Sequence, residues 1–305
     1  MKKLAQKLFK IVAVGACWVV TLLPWSWQRL IGDGIGILWF DVFRIRRNVI
    51  LGNLKLAFPQ WTESQRMKVG RESCFNLGRS AVEFRRFPFY SKQKHRDEFQ
   101  IKGREYLDIA VQRGRGVCLL TLHLGNGDLG TVGLALHDVP MSIISKEFKA
   151  KWLNDLWFGL RQRLGTRFIP PRNSSYAVLK ELKKGGIVAF VLDQFMGPPI
   201  GVRTQFFGHE TGTAMGLAVL AGRAMCPVVP VYTLREIDGT TTVQFGPEIE
   251  YVSKEDKDET VAFMTQVYTD KIEEIVRQYP GQWMWVHRRW KPFIDHRELE
   301  RDNEV

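Results

Sequence analysis

One stretch constrains this chain more than any other: Val117-Cys118-Leu119-Leu120-Thr121-Leu122-His123-Leu124-Gly125-Asn126-Gly127-Asp128. An apolar run of strand length stops at a histidine, a Gly-Asn-Gly turn follows, and a carboxylate stands five positions after the imidazole. In one continuous helix, positions i and i+5 point to different faces, so the pair meets only across a strand-turn-helix junction. Two readings fit the spacing. In one, His123 is a general base and Asp128 orients its second ring nitrogen. In the other, a loop histidine precedes an aspartate that caps the next helix.

The surrounding pattern repeats the strand-then-helix alternation. Strands are expected at 117–123, 139–145, 187–192 and 227–234, and helices at 104–113, 128–136, 149–164, 174–184 and 212–224. That order implies an α/β fold with a mostly parallel central sheet flanked by helices. Ligands of such sheets bind at the carboxyl ends of the strands. His123 follows one strand and Asp193 follows Ile187-Val188-Ala189-Phe190-Val191-Leu192, so both are expected at one sheet edge. Upstream, Arg44 to Ala57 and Glu63 to Glu83 read as helices, with Thr62 or Ser64 as N-cap of the second. Residues 251–260 read as a charged loop and the last ten residues as a solvated tail.

Charge and aromatic content narrow the partners. A net charge of +12 implies an anionic partner: nucleic acid, anionic lipid or an acidic carrier protein. Trp18, Trp25, Trp27 and Trp39 near one end, and Trp283, Trp285 and Trp290 near the other, suit the headgroup layer of a membrane. Zinc-finger spacing, a ribonucleoprotein motif and a basic heptad helix are absent from the sequence, which argues against nucleic acid. The stretch Phe84 to Arg96 interleaves basic and aromatic residues and reads as a headgroup contact. At the amino end, lysines precede an uncharged segment from Ile11 to Gln28. Residues 1–28 are therefore expected to form a membrane-anchoring helix, and residues 29–305 the catalytic domain. Cys17, Cys74, Cys118 and Cys226 lack metal or disulfide spacing and read as small buried hydrophobes. Gly32-x-Gly34-x-Gly36 does not sit between a strand and a helix, so no nucleotide loop is read there, and no Gly-x-Ser-x-Gly elbow occurs. Neither a cofactor nor a metal is expected.

His-x4-Asp after a buried strand is the pattern of the glycerolipid and lysophospholipid acyltransferases. The chain resembles one branch of them, the lipid A late (secondary) acyltransferases of Gram-negative bacteria, over nearly its whole length. The resemblance is carried by Arg46-Arg47-Asn48, Asn53-Leu54, Ala57-Phe58-Pro59, His123 to Asp128, Asp193-Gln194, Gly197-Pro198, Phe206-Phe207-Gly208, Ala224 to Pro230 and Trp285 to Lys291. It implies a glycerolipid acyltransferase-like fold with His123 and Asp128 as catalytic residues. The donor would be acyl-acyl carrier protein and the acceptor an anionic, acylated lipid A precursor, with the enzyme at the bacterial inner membrane and its catalytic domain facing the cytoplasm. By the same resemblance Asp193 belongs to the site. Lys146 stands where these enzymes usually carry an arginine, which keeps the charge and loses the bidentate fork. Lys146, Arg161 and Arg203 are candidate substrate contacts, and His287-Arg288-Arg289 reads as headgroup contact or carboxyl-terminal packing. Another lipid acceptor, such as a lysophospholipid or aminolipid, and a non-catalytic membrane adaptor are the alternatives.

Overall fold

The computed structural model describes residues 22–145, 151–171 and 173–293. Lys146, Cys17, Trp18, His296, the tail and most of the 1–28 segment lie outside the described residues. Seven strands form the central sheet: β1 (Phe99–Lys102), β2 (Val117–Thr121), β3 (Ser142–Ile144), β4 (Arg167–Ile169), β5 (Ile187–Val191), β8 (Val228–Arg235) and β9 (Thr241–Phe245). Their order is β1-β9-β8-β2-β5-β3-β4. Every neighbouring pair is parallel except β8 with β9. The fold is α/β, with a mostly parallel central sheet flanked by helices.

The continuous apolar runs of β2 and β5 follow from burial on both faces. Alternate residues serve opposite layers. Cys118, Leu120, Val188, Phe190 and Val228 pack with the helices Gly216–Ala224 and Lys257–Gln278. Val117, Leu119, Ile187, Ala189 and Val229 pack on the other side with Leu107 and Leu134. The β2/β5 register runs from Val117 opposite Ile187 to Thr121 opposite Val191. Cys74, Cys118 and Cys226 are free, buried thiols.

Several elements differ from the sequence reading. Residues 212–214 are not helical: β6 (Gly201–Phe206) and β7 (His209–Ala214) form a separate antiparallel hairpin, and the helix starts at Gly216. The interior of that hairpin holds threonines whose hydroxyls bond one another, Thr204 to Thr213 at 2.7 Å, instead of an apolar stripe that would mark a strand. The charged 251–260 segment is a loop only to Asp256, which caps the 22-residue helix Lys257–Gln278 through the Glu259 amide. Thr62 caps the helix Glu63–Phe84 in a reciprocal capping box with Gln65, as its sequence suggests.

The helix Trp25–Ile37 runs through position 28 and crosses Glu63–Phe84 at close range. A Cβ on Gly78 would lie 2.1 Å from the Gly32 carbonyl oxygen, so only glycine permits this approach. Asp33 and Arg79 add a two-bond ion pair at 2.5 and 2.8 Å. Among the described residues, no helix is long and apolar enough to cross a membrane.

The aromatic residues offered as membrane contacts are mostly interior. Trp283 and Trp285 are buried and stand edge-to-face at 4.5 Å. Phe87 and Tyr90 are buried, and Phe84 stacks on Trp157 at 4.1 Å. Arg86 pairs with Glu98 and Lys92 with Asp138. That basic-aromatic stretch is largely core and surface ion pairs; Phe89 alone of its aromatics is well exposed.

Candidate active site

Because β2 and β5 are in register, the residues just beyond them are in register too. His123 follows Leu122, Asp193 follows Leu192, and the Leu192 amide still donates to the Thr121 carbonyl at 3.1 Å. The backbone amide of His123 donates to Asp193 Oδ2 at 3.0 Å, and His123 Nδ1 lies 2.8 Å from Asp193 Oδ1. The Trp283 indole donates to Asp193 Oδ2 at 2.8 Å. Asp193 is therefore held by three donors in a buried position.

The carboxylate on Nδ1 is thus Asp193, not Asp128 as the spacing suggests. Asp128 lies in the first turn of the helix Gly127–Leu136 and pairs with Arg161 of the helix Lys151–Leu164. The N-cap is Asn126, whose side chain accepts from the Leu129 amide at 3.2 Å. Asp128 remains an electrostatic neighbour of His123.

The turn between them is fixed from several directions. Gly125 has φ +58°, and a Cβ there would meet the Thr233 carbonyl oxygen at 2.3 Å, so glycine is required. Its amide donates to the Gln282 carbonyl at 3.1 Å and is spoken for. Asn126 Nδ2 donates to Glu83 at 2.7 Å, and Glu83 holds the buried Arg235. Asn76 donates to the carbonyls of Gly125 and Gln282 at 2.8 and 3.0 Å.

Burial alone would depress His123, but the Asp193 carboxylate, its hydrogen bond and the charge of Asp128 outweigh it, so the imidazole is more basic than usual. Burial would raise Asp193, yet attraction to His123 and the three donated bonds hold it at about 2. Asp128 is pushed up by burial, with Arg161 opposing. Nδ1 is the protonated nitrogen opposite an ionised carboxylate, which leaves Nε2 as an open lone pair.

Nε2 faces residues that the spacing argument did not bring into the site. The Gln194 amide nitrogen lies 3.4 Å from His123 Nε2 and 3.1 Å from His287 Nε2, and the two imidazole rings are 5.7 Å apart. Burial and the neighbouring His123 keep His287 below its usual pKa. Asn53 fixes this strap by donating to the carbonyls of Trp285 and His287 at 2.9 and 2.6 Å. Buried Arg289 ties it to the hairpin through the Gly212 carbonyl at 2.6 Å and Thr213 at 2.7 Å. Arg289 is packing, one of the two sequence readings of that triplet. The order Asp193-Gln194 in the sequence was the available signal for Gln194; His287 had none beyond its motif.

The remaining candidates separate. Arg161 is buried and sits over the Trp157 ring at 4.3 Å, committed to Asp128, so it is an internal partner and not a substrate contact. Arg203 lies on the hairpin, bonded to Glu210 at 2.8 Å and stacked over Phe293 at 4.8 Å. Lys146 lies outside the described residues. Among the described residues no His, Cys, Asp and Glu group is arranged to hold a metal ion.

A basic imidazole fixed at Nδ1 by a buried carboxylate, with Nε2 open at the carboxyl edge of a parallel sheet, has the geometry that general-base chemistry needs. The model of the bacterial lipid A biosynthesis acyltransferases matches residues 2–292, and the chain belongs to that family. It is an acyltransferase. It is 27% identical over 290 residues to the lipid A biosynthesis lauroyltransferase of Escherichia coli K12, covering 92% of this chain and 90% of that one. It is 27% identical over 281 residues to the palmitoleoyltransferase of the same organism, covering 91% and 89%. A phosphatidylinositol mannoside acyltransferase of Mycolicibacterium smegmatis is 24% identical over 223 residues, covering 72% and 71%.

Proposed function

We propose that this protein is a late acyltransferase that moves a fatty acyl chain from an acyl carrier protein thioester to a hydroxyl of a lipid A precursor. The observation that carries the mechanism is the split role of His123: Nδ1 bonded to Asp193 and Nε2 facing Gln194 and His287. In the proposed reaction His123 Nε2 takes the proton of the acceptor hydroxyl as its oxygen attacks the thioester carbonyl. Asp193 fixes the tautomer and stabilises the imidazolium. The oxyanion is met by donors at the amino end of Gly127–Leu136, or by the Gln194 amide. Collapse expels the thiolate, which takes the proton back from His123, leaving an ester and a free thiol. Asp128 and its Arg161 partner bias the field beside the base and keep the first turn of that helix in place.

A net charge of +12 supports an acidic carrier protein as donor and an anionic lipid as acceptor. Membrane association is supported by exposed Leu22, Trp27, Leu30, Leu38, Val42 and Phe43, flanked by Arg29 and Arg44. That arrangement suits an interfacial helix on the cytoplasmic face of a bacterial inner membrane. The similarity to a mannoside acyltransferase favours one second reading, in which the acceptor is another glycolipid. The test is transfer by the purified protein from acyl carrier protein to a lipid A precursor, read by mass spectrometry, with a phosphatidylinositol mannoside in parallel. One added acyl chain on the precursor is the expected result. Turnover of the mannoside alone would replace the first reading by the second, and turnover of neither would overturn both.

A further inference from the structure

Three motif pieces far apart in sequence meet beside the base. Arg46 from the start of the helix Arg47–Ala57, Gln194 and Phe195 after β5, and His287, Arg288 and Lys291 line one cleft of about 480 Å³. Four of its six lining residues are basic or imidazole, and none is a carboxylate. Among the described residues neither Arg46, Arg288 nor Lys291 is paired with an acid. Arg46 gives one hydrogen bond, to the Val286 carbonyl at 3.2 Å, and Lys291 lies over the Phe195 ring at 5.5 Å. Elsewhere the arginines are mostly matched: Arg71 with Asp41, Arg79 with Asp33, Arg86 with Glu98, Arg235 with Glu83. Like charges gathered without counter-charges repel, and such a cluster is relieved by an anion.

Backbone conformation holds the cluster in place. Arg46 has φ +56° and Arg44 has φ +51°, left-handed positions that cost an ordinary side chain free energy. They turn the chain so that Arg46 sits at the uncapped amino end of Arg47–Ala57, where the helix adds its own positive field. The cleft shares Arg288 and Lys291 with a larger trough of about 890 Å³, lined by Val49, Gly52, Leu56, Trp290 and others. A ligand held by the cations thus has His123 on one side, reached through Gln194 and His287, and a partly apolar trough on the other.

We infer that the Arg46–His287–Arg288–Lys291 cleft is a phosphate subsite, which anchors a phosphate of an amphiphilic substrate while His123 acts on it. This rests on the proposed function only for what carries the phosphate. That group is either a phosphate of the glycolipid acceptor or the phosphopantetheine phosphate of the donor, and the two are separable.

The first test needs no turnover. The titration of His287 is followed by NMR in the full chain, with glucosamine 1-phosphate against glucosamine and with phosphopantetheine against pantetheine. An anion in the cleft favours the imidazolium, so the phosphate-bearing probe should raise the His287 pKa, and Arg288→Ala/Lys291→Ala should remove that response. The probe that acts identifies the source. If neither phosphate moves His287, or if the double variant responds as the wild type does, the cleft is not a phosphate site. The second test is kinetic. The ratio of kcat/KM for phosphorylated over dephosphorylated substrate should fall about 10- to 100-fold in the double variant, the range of losing bonds to a charged group. It should recover in Arg288→Lys/Lys291→Arg and stay at the wild-type value in Lys180→Ala/Lys183→Ala, which removes two exposed charges elsewhere. A ratio unchanged in the double variant, or lowered equally by the distant one, overturns the proposal. Failure of wild-type transfer on every acceptor would defeat the acyltransfer reading and leave the NMR result standing.

Discussion

His123 has two carboxylates within electrostatic range, and only one can hold Nδ1. Asp193 takes that position, and Asp128 is diverted to Arg161. Replacing His123 by alanine should lower transfer about 10²–10⁴-fold in a folded protein, measured as initial rates alongside circular dichroism. Asp193→Asn should be comparably impaired, because an amide can hold the ring in the wrong tautomer. Asp128→Asn should cost less than Asp193→Asn; the reverse order would return the orienting role to Asp128. The base must be neutral to act, and its pKa is raised, so kcat/KM should fall with acid along a limb lying above the usual imidazole value of about 6.5. Removing the Asp193 charge should shift that limb to lower pH. The stability contribution of Asp193 also declines with acid, but at much lower pH. Asp193 titrates at about 2 when folded against 3.8 ordinarily, so its contribution is full above the higher value and is lost as pH falls towards the lower one.

At the scale of elements, the Glu83–Arg235 pair links the helix Glu63–Phe84 to β8 beneath the catalytic turn. Both side chains are buried, and Glu83 also accepts from Asn126. Glu83→Gln should leave Arg235 uncompensated and lower unfolding free energy by about 3–5 kcal/mol in urea titration. It should also reduce activity by loosening the Asn126 turn. The elements legible in the sequence were those built on unbroken apolar runs: β2 and β5 fall within their expected spans, and the edge shared by His123 and Asp193 follows from them. The hairpin was illegible because threonine pairs fill its interior, and the start of Lys257–Gln278 because its first turn is charged. The partner of His123 was not in the spacing either. It depends on β5 lying directly beside β2, and strand order is a tertiary fact that a motif of six residues does not contain.

For the whole molecule, the exposed apolar band from Leu22 to Phe43 includes a helix locked to Glu63–Phe84 through the Gly32–Gly78 crossing. Deleting residues 1–28 removes only part of that band, so the truncated protein should still sediment with anionic vesicles, weakly and less at high salt. Activity on detergent-solubilised acceptor should be retained better than on membrane-embedded acceptor. Equal loss in both formats would make the segment part of the active-site architecture. Chelation with EDTA should leave turnover intact, since Nδ1 of His123 is committed to Asp193 and the Asp128 carboxylate to Arg161; loss on chelation, restored by a divalent ion, would make them ligands.

Trp283, the donor to Asp193, lies beyond the last strand of the sheet, and the Met284 amide beside it bonds back to the His123 carbonyl at 3.2 Å. His123 and its carboxylate follow two adjoining parallel strands, yet the clasp on them comes from residues that belong to none of the seven strands. A polypeptide halted at Gln278 would carry all seven strands of the sheet and still lack the indole that completes the bonding of Asp193.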